Sequence, residues 1–249
     1  MMDINSDMGE INRLLDDGTY EKLMEYVTSI NVACGGHAGD ETMMAAMVAL
    51  AKEKGVNVGA HPSYPDRENF GRIDMNMDAN ELLNTVRDQI QLLVDIGTNN
   101  GVNLSHVKAH GALYNRAVID EDIAQAIGEA IIQVDPLLKV MGLAGSKMLS
   151  VFDGLGLDTM AEAFADRSYE SDGTLRNRKY DDALITDPNK AALQVKNMVE
   201  GTVISFEGKA IEMNAQTICI HSDTPNTVAI AEAVREEIKG GGEQNKYFR

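Results

Sequence analysis

The sequence predicts an α/β protein built on a parallel, seven-stranded barrel, and three observations carry that expectation. Short apolar runs alternate with longer stretches of helical period, the pattern of repeated βαβ units rather than of separate helical and strand blocks. Seven such runs can be marked out. A length of 249 residues is ordinary for a barrel folded as one domain. Residues 1–239 are read as that single domain, and a tail over 240–249, opened by three glycines and without periodicity, is expected to fray.

The strands, in order, are Met2–Ile4, Ile30–Ala33, Val56–Ala60, His106–Ala109, Lys139–Gly142, Thr159–Ala161 and Thr217–Ile220. Asp40 caps a helix that places Met43, Met44, Met47, Val48 and Ala51 on one face, and Gly55 stops it. Asp78 and Glu81 form a capping box ahead of Leu82, Val86, Ile90 and Leu93, with Gly97 as the stop. Ile123, Ile127 and Ile131 carry the next stripe, closed by Pro136. Asp187-Pro188 and Thr224-Pro225 each place a proline in a first helical turn. His61 to Met77 and Asp166 to Tyr180 are predicted as long loops, which in compact domains commonly carry function. Val203 to Met213 alternates around Glu207-Gly208, the signal of a small hairpin before the last strand.

Charge and composition exclude whole classes of partner. With 22 basic against 39 acidic residues the formal charge is −17, so neither nucleic acid nor an anionic membrane would be attracted. No apolar run approaches the roughly 18 residues of a membrane span, and the N-terminus lacks the regions of a secretory signal. The chain is therefore expected in the cytoplasm. Its two cysteines, Cys34 and Cys219, sit in apolar segments and read as buried thiols rather than a disulfide framework.

The chemistry gathers at strand ends. Four of the five histidines, His37, His61, His110 and His221, lie at or just past the C-terminal end of a predicted strand. Asp7, Glu10 and Asp223 fall in equivalent places. In a parallel barrel these ends share one face, where βα loops build the active site. Two neutral imidazoles and a carboxylate make a divalent-metal site, and Asp7, His61 and His110 are the expected triad. The same residues could instead serve as acid, base and clamp without metal. Lys108 shares its strand face with His110 and would stabilise negative charge there, while Arg72 and Arg167 on the two long loops could grip a carboxylate. Gly142 to Lys147 follows a strand but lacks the spacing and ending of a Walker phosphate loop.

Ordered blocks along nearly the whole chain resemble the LamB/YcsF family. They include Asp3-Ile4-Asn5-Ser6-Asp7-Met8-Gly9-Glu10, Asn31-Val32-Ala33-Cys34-Gly35-Gly36-His37, Gly59-Ala60-His61-Pro62, Val107-Lys108-Ala109-His110-Gly111, Glu162-Ala163-Phe164-Ala165-Asp166-Arg167 and Cys219-Ile220-His221-Ser222-Asp223-Thr224-Pro225. Gly36 stands where that family carries a bulky aromatic residue, and Ser63 and Ser222 where it carries glycine. The resemblance implies a (β/α)7 barrel of the glycoside hydrolase/deacetylase type. It further implies opening of 5-oxo-L-proline to L-glutamate coupled to ATP hydrolysis, as the A component of a 5-oxoprolinase complex with two further subunits, B and C. ATP is then expected to be shared with or bound by the partner subunits, or held in a site that sequence motifs do not reveal. Asp7, Glu10, His61, Lys108 and His110 are the expected catalytic residues, and Asn31, His37, Arg72, Arg167, His221 and Asp223 the expected substrate-binding ones. Two rival readings remain at this point: a metal-dependent deacetylase of a small acylated sugar, and a non-catalytic binding or regulatory subunit.

Overall fold

Strand β1 (Asp3–Met8) is buried on both faces from Ile4 onward, with Ile4, Ser6 and Met8 on one side and Asn5 and Asp7 on the other, and that division sets the plan of the molecule. The computed structural model describes residues 2–244. Seven parallel strands close in the order β1, β2 (Ser29–Ala33), β3 (Asn57–His61), β4 (His106–Lys108), β5 (Lys139–Leu143), β6 (Thr159–Phe164) and β9 (Thr217–Cys219). Strands β7 (Thr202–Ile204) and β8 (Ala210–Glu212) form the expected antiparallel hairpin outside the barrel. The helices between them are α1 (Asn12–Asp16), α2 (Thr19–Leu23), α3 (Glu41–Lys54), α4 (Ala79–Asn99), α5 (Gly111–Ile119), α6 (Glu121–Val134), α7 (Lys147–Gly154), α8 (Pro188–Val199) and α9 (Thr227–Gln244). Among the described residues, no helix is long and apolar enough to cross a membrane.

The outward faces of the strands supply the apolar core. Ile4, Ile30, Val32, Val58, Val107, Ala163 and Ile218 are fully or almost fully buried in the same cluster as Met44, Met47, Leu82, Ile90 and Ile127 of the surrounding helices. Successive strand residues face opposite ways, so Asn5, Asp7, Asn31, His106, Lys108, Glu162 and Cys219 turn to the barrel interior. All are buried. A barrel interior is more often filled by branched aliphatics; here it is a hydrogen-bonded polar network.

Capping follows the sequence closely. Asp40 accepts from Met43 N, Asp187 accepts from Asn189 N ahead of Pro188, and Asp78 accepts from Asn80 N rather than closing a box with Glu81. Helix α4 runs on to Asn99, past the expected stop at Gly97. The helix expected at Pro225 starts at Thr227, after Asn226 in the left-handed conformation. The same helix continues through the three glycines to Gln244, so part of the expected tail is helical; 245–249 lie outside the described residues.

Candidate active site

The barrel register builds the floor of the site. Asp7 lies opposite Asn31, Asn31 opposite Gly59, and Gly59 opposite His106, a row crossing four strands. Gly59 leaves room that the His106 ring occupies, because a Cβ there would lie 2.2 Å from His106 Nε2. Across that gap His106 Nε2 donates to Asn31 Oδ1 at 2.7 Å, and Ser105 Oγ donates to its Nδ1 at 2.7 Å. Asn31 is thereby oriented to donate through Nδ2 to Asn5 Oδ1 and to Asp7 Oδ1, the latter at 2.7 Å. Lys108 Nζ reaches Asp7 Oδ1 at 3.0 Å, Glu162 Oε1 at 2.8 Å and Cys219 Sγ at 3.1 Å. Burial alone would drive the lysine towards neutrality, but Asp7, Cys219 and Glu162 hold its pKa well above the ordinary value. Burial would likewise raise the Asp7 pKa; His61 and Lys108 reverse that and hold it well below the carboxylate range.

Beside this floor stands a cluster of donors. Ligating atoms of Glu10, His37, His61 and His110 all lie within 4.8 Å of one another. His61 Nδ1 donates to the Lys108 carbonyl at 2.7 Å, and His110 Nε2 donates to the Phe70 carbonyl at 2.9 Å. A carbonyl can only accept, so these nitrogens carry the hydrogens and the opposite nitrogen of each neutral ring is a bare lone pair. Those lone pairs, His61 Nε2 and His110 Nδ1, face each other at 3.0 Å, with Glu10 Oε1 3.2 Å from His110 Nδ1 and 2.9 Å from His37 Nε2. So many acceptors at one point call for a cation, either a proton on His61 or a divalent metal ion. The donor set and the carbonyl-fixed tautomers fit the ion. Burial would lower the His61 pKa, but Asp7 and Glu10 outweigh it and raise it; His37, stacked 3.6 Å from the His110 ring, is pushed down to about 4 by burial.

The loop from His61 to Met77 closes over this cluster through one tight approach. Gly71 and Gly111 both have positive φ, and a Cβ at Gly111 would lie 2.5 Å from the Gly71 carbonyl oxygen. Phe70 is also left-handed, with φ 56°, and this turns its carbonyl to His110. At Gly36, the Gln89 amide and the Ser63 hydroxyl occupy the space where a side chain would begin, within 2.5 Å of a built Cβ for both partners. Gln89 also accepts from Ser63 N at 3.0 Å, so the two departures from the expected sequence compensate each other.

A second histidine site faces the first. His221 Nδ1 lies 3.0 Å from Asp166 Oδ1, and Asp166, fully buried, also accepts from the His221 amide and from Thr224 Oγ1. The carboxylate takes the Nδ1 hydrogen, so Nε2 is left facing Asp7 Oδ2 at 4.0 Å. Burial would raise the Asp166 pKa, but its bonds to His221 and Thr224 hold it down.

Floor, cluster and loops enclose a cavity of about 410 Å³. Of the residues expected to act, Asp7, Glu10, His61, Lys108, His110, Arg72, Arg167, His221 and Asp223 line it. Two do not. Asn31 is fully buried beneath Asp7, and His37 is covered by the His110 ring; Asn31 bonds to Asp7 and His37 to Glu10. The expected triad of Asp7, His61 and His110 divides geometrically: His61 and His110 gather with Glu10 and His37, while Asp7, its Oδ2 3.4 Å from His61 Nε2 and its Oδ1 engaged by Lys108 and Asn31, gathers with Cys219 and His221 in a second possible ligand group. Glu10 reaches the imidazoles because β1 ends at Met8 and the following turn swings its carboxylate back over β2 and β3. Asp166, Arg178, Glu162 and His106 are participants the sequence did not single out; only Asp166, adjacent to Arg167 in a long loop after a strand, carried a signal. Cys34 is 2% exposed, donates to the Val32 carbonyl and has its pKa pushed up to about 12 by burial, so it is an inert core thiol.

The fold and the site together define a (β/α)7 barrel with an ionisable, carboxylate-and-imidazole cup at its C-terminal face. The chain belongs to the LamB/YcsF family, whose model matches residues 2–249. It is 43% identical over 97% of its length to the A component of 5-oxoprolinase from Bacillus subtilis strain 168, covering 94% of that protein. To the corresponding 5-oxoprolinase component of Chloroflexus aggregans it is 44% identical, covering 97% of this chain and 96% of the other. The crystal structure of the lactam utilization protein from Thermus thermophilus superposes with a TM-score of 0.89 at 38% identity, covering 97% of both chains.

Proposed function

We propose that this chain is the lactam-opening component of a cytoplasmic, ATP-coupled 5-oxoprolinase, converting 5-oxo-L-proline to L-glutamate together with two partner subunits, B and C. The observation that supports it most directly is the opposition of Asp7 Oδ2 and His221 Nε2 across the cavity floor at 4.0 Å. Hydrolysis of a lactam needs a base to take a proton from water and an acid to protonate the departing ring nitrogen. Asp7 has Oδ1 fixed by Asn31 and Lys108 and Oδ2 on the cavity side, 3.4 Å from His61 Nε2, which suits the base. His221, with Nδ1 held by Asp166, suits the acid, and the proton Asp7 removes from water can return to nitrogen through His221 Nε2. Glu10, His37, His61 and His110 would hold a divalent ion, which supplies Lewis acidity at the carbonyl being attacked. Without that ion, protonated His61 is the donor for the developing oxyanion.

Amide resonance makes an unactivated lactam resistant to water, which is the physical reason for coupling to ATP. Gly142 to Lys147 lacks a Walker loop, so in this proposal the nucleotide is shared with or bound by the partner subunits. The test is reconstitution: this chain, its two partners, 5-oxoproline, ATP and Mg²⁺ should release glutamate. An active partner pair that gains nothing from this chain would remove the proposal.

A further inference from the structure

Arginines gather at the mouth of the same cavity in a chain whose net charge is −17. Arg72, Arg167 and Arg178 all line it, contributed by the two long loops. A single carboxylate, Asp223, serves two of them: Arg72 Nη2 and Arg178 Nη1 reach the same oxygen, Oδ2, at 2.6 and 3.3 Å. Arg167 is only 7% exposed, and among the described residues its side chain makes one hydrogen bond, from Nη2 to the Arg176 carbonyl, leaving Nε buried without a partner. Its neighbour Asp166 is already committed to His221 and Thr224. Burial and the nearby charge of Arg178 push the Arg167 pKa down to about 10. An arginine fork buried with most of its donors idle is costly unless a ligand completes it.

The cavity therefore carries arginines at its mouth and Asp7 and Glu10 at its floor, set among apolar lining residues that include Leu143, Phe164 and Leu175. We infer that Arg167 and Arg178 form an oxyanion subsite that takes the carboxylate of the substrate, so that the enzyme selects lactams bearing a carboxylate and holds them with the ring amide towards Asp7 and His221. The inference rests on the lactam-hydrolase reading and adds the group that the protein recognises. The acidic floor repels a carboxylate, so the substrate enters in one orientation, and Asp223 keeps Arg72 and Arg178 in place without neutralising Arg167.

Steady-state kinetics of the assembled complex test it, with 5-oxoproline and with 2-pyrrolidinone, the same lactam without its carboxylate. Arg178 is partly exposed, so Arg178→Gln leaves the fold alone, and Arg167→Lys keeps the charge while removing the fork. Each should raise the KM for 5-oxoproline about 10- to 100-fold with a smaller change in kcat, as loss of a charge-assisted hydrogen bond requires. The preference for 5-oxoproline over 2-pyrrolidinone should shrink by the same factor. Inorganic phosphate should compete with 5-oxoproline only weakly if the subsite is shaped for a carboxylate; strong competition lost in Arg178→Gln would reassign it to a phosphoryl group and overturn the carboxylate assignment. A wild-type complex that turns over 5-oxoproline while both variants keep its KM and its preference overturns this inference alone. A complex with no turnover of 5-oxoproline overturns the lactam-hydrolase reading and this one with it.

Discussion

His61 Nε2 and His110 Nδ1 face each other at 3.0 Å while each ring gives its other N–H to a main-chain carbonyl. The backbone thus fixes both tautomers so that two lone pairs converge, and Glu10 adds a carboxylate oxygen to the same point. Protein purified without chelator should carry up to about one divalent ion per chain. Glu10→Gln should lose it, since a neutral amide replaces the anionic donor, whereas Asp7→Asn should retain most of it. Elemental analysis before and after chelation measures both. Retention of metal by Glu10→Gln with loss in Asp7→Asn would restore the triad expected from sequence.

Asp166 does not line the cavity but bonds to His221 Nδ1, so in the proposed reaction it would act through His221. Asp166→Asn should lower kcat about 10²- to 10⁴-fold with little change in KM, because the amide no longer selects the His221 tautomer. The double variant Asp166→Asn/His221→Ala should be no slower than His221→Ala alone, as expected for residues that work as one unit. Additive losses in glutamate formation would separate their roles.

His106 gives a stability signature. Burial pushes its pKa down to about 4, whereas an exposed histidine titrates at about 6.5. Between these values the unfolded chain binds more protons than the folded one, so stability is whole above about pH 6.5 and falls as pH drops towards about 4. Replacing the ring by an uncharged residue, His106→Asn, should flatten part of that fall while lowering stability at neutral pH by about 1–3 kcal/mol, since Asn31 loses its donor. Urea denaturation at several pH values across the window checks the slope; an unchanged slope would mean that His106 is not a group that titrates there.

The parallel barrel was legible because its outward strand faces are apolar and its helices carry clear caps, such as Asp40 before Glu41 and Asp187 before Pro188. The strand ends were less legible for one physical reason. Asn5, Asp7 and Glu162 lie on the interior face, so the apolar run stops before the strand does, and β1 and β6 extend to Met8 and Phe164. Position at a strand end was enough to place His61, His110 and His221 on the cavity wall. It could not show that Glu10 comes to 2.9 Å from His37 and 3.2 Å from His110, because that depends on how the turn after Met8 folds back. The polar interior likewise hid His106, whose role depends on the absence of a side chain at Gly59.

Whether the ring is opened in this chain's own cavity is measured most directly with His61→Ala and His110→Ala. Each variant is assembled with the partner subunits and assayed for glutamate from 5-oxoproline and ATP, with circular dichroism recorded on the same preparation. A native spectrum with loss of turnover is expected for both. Near-normal glutamate formation by either well-folded variant would contradict ring opening in this cavity.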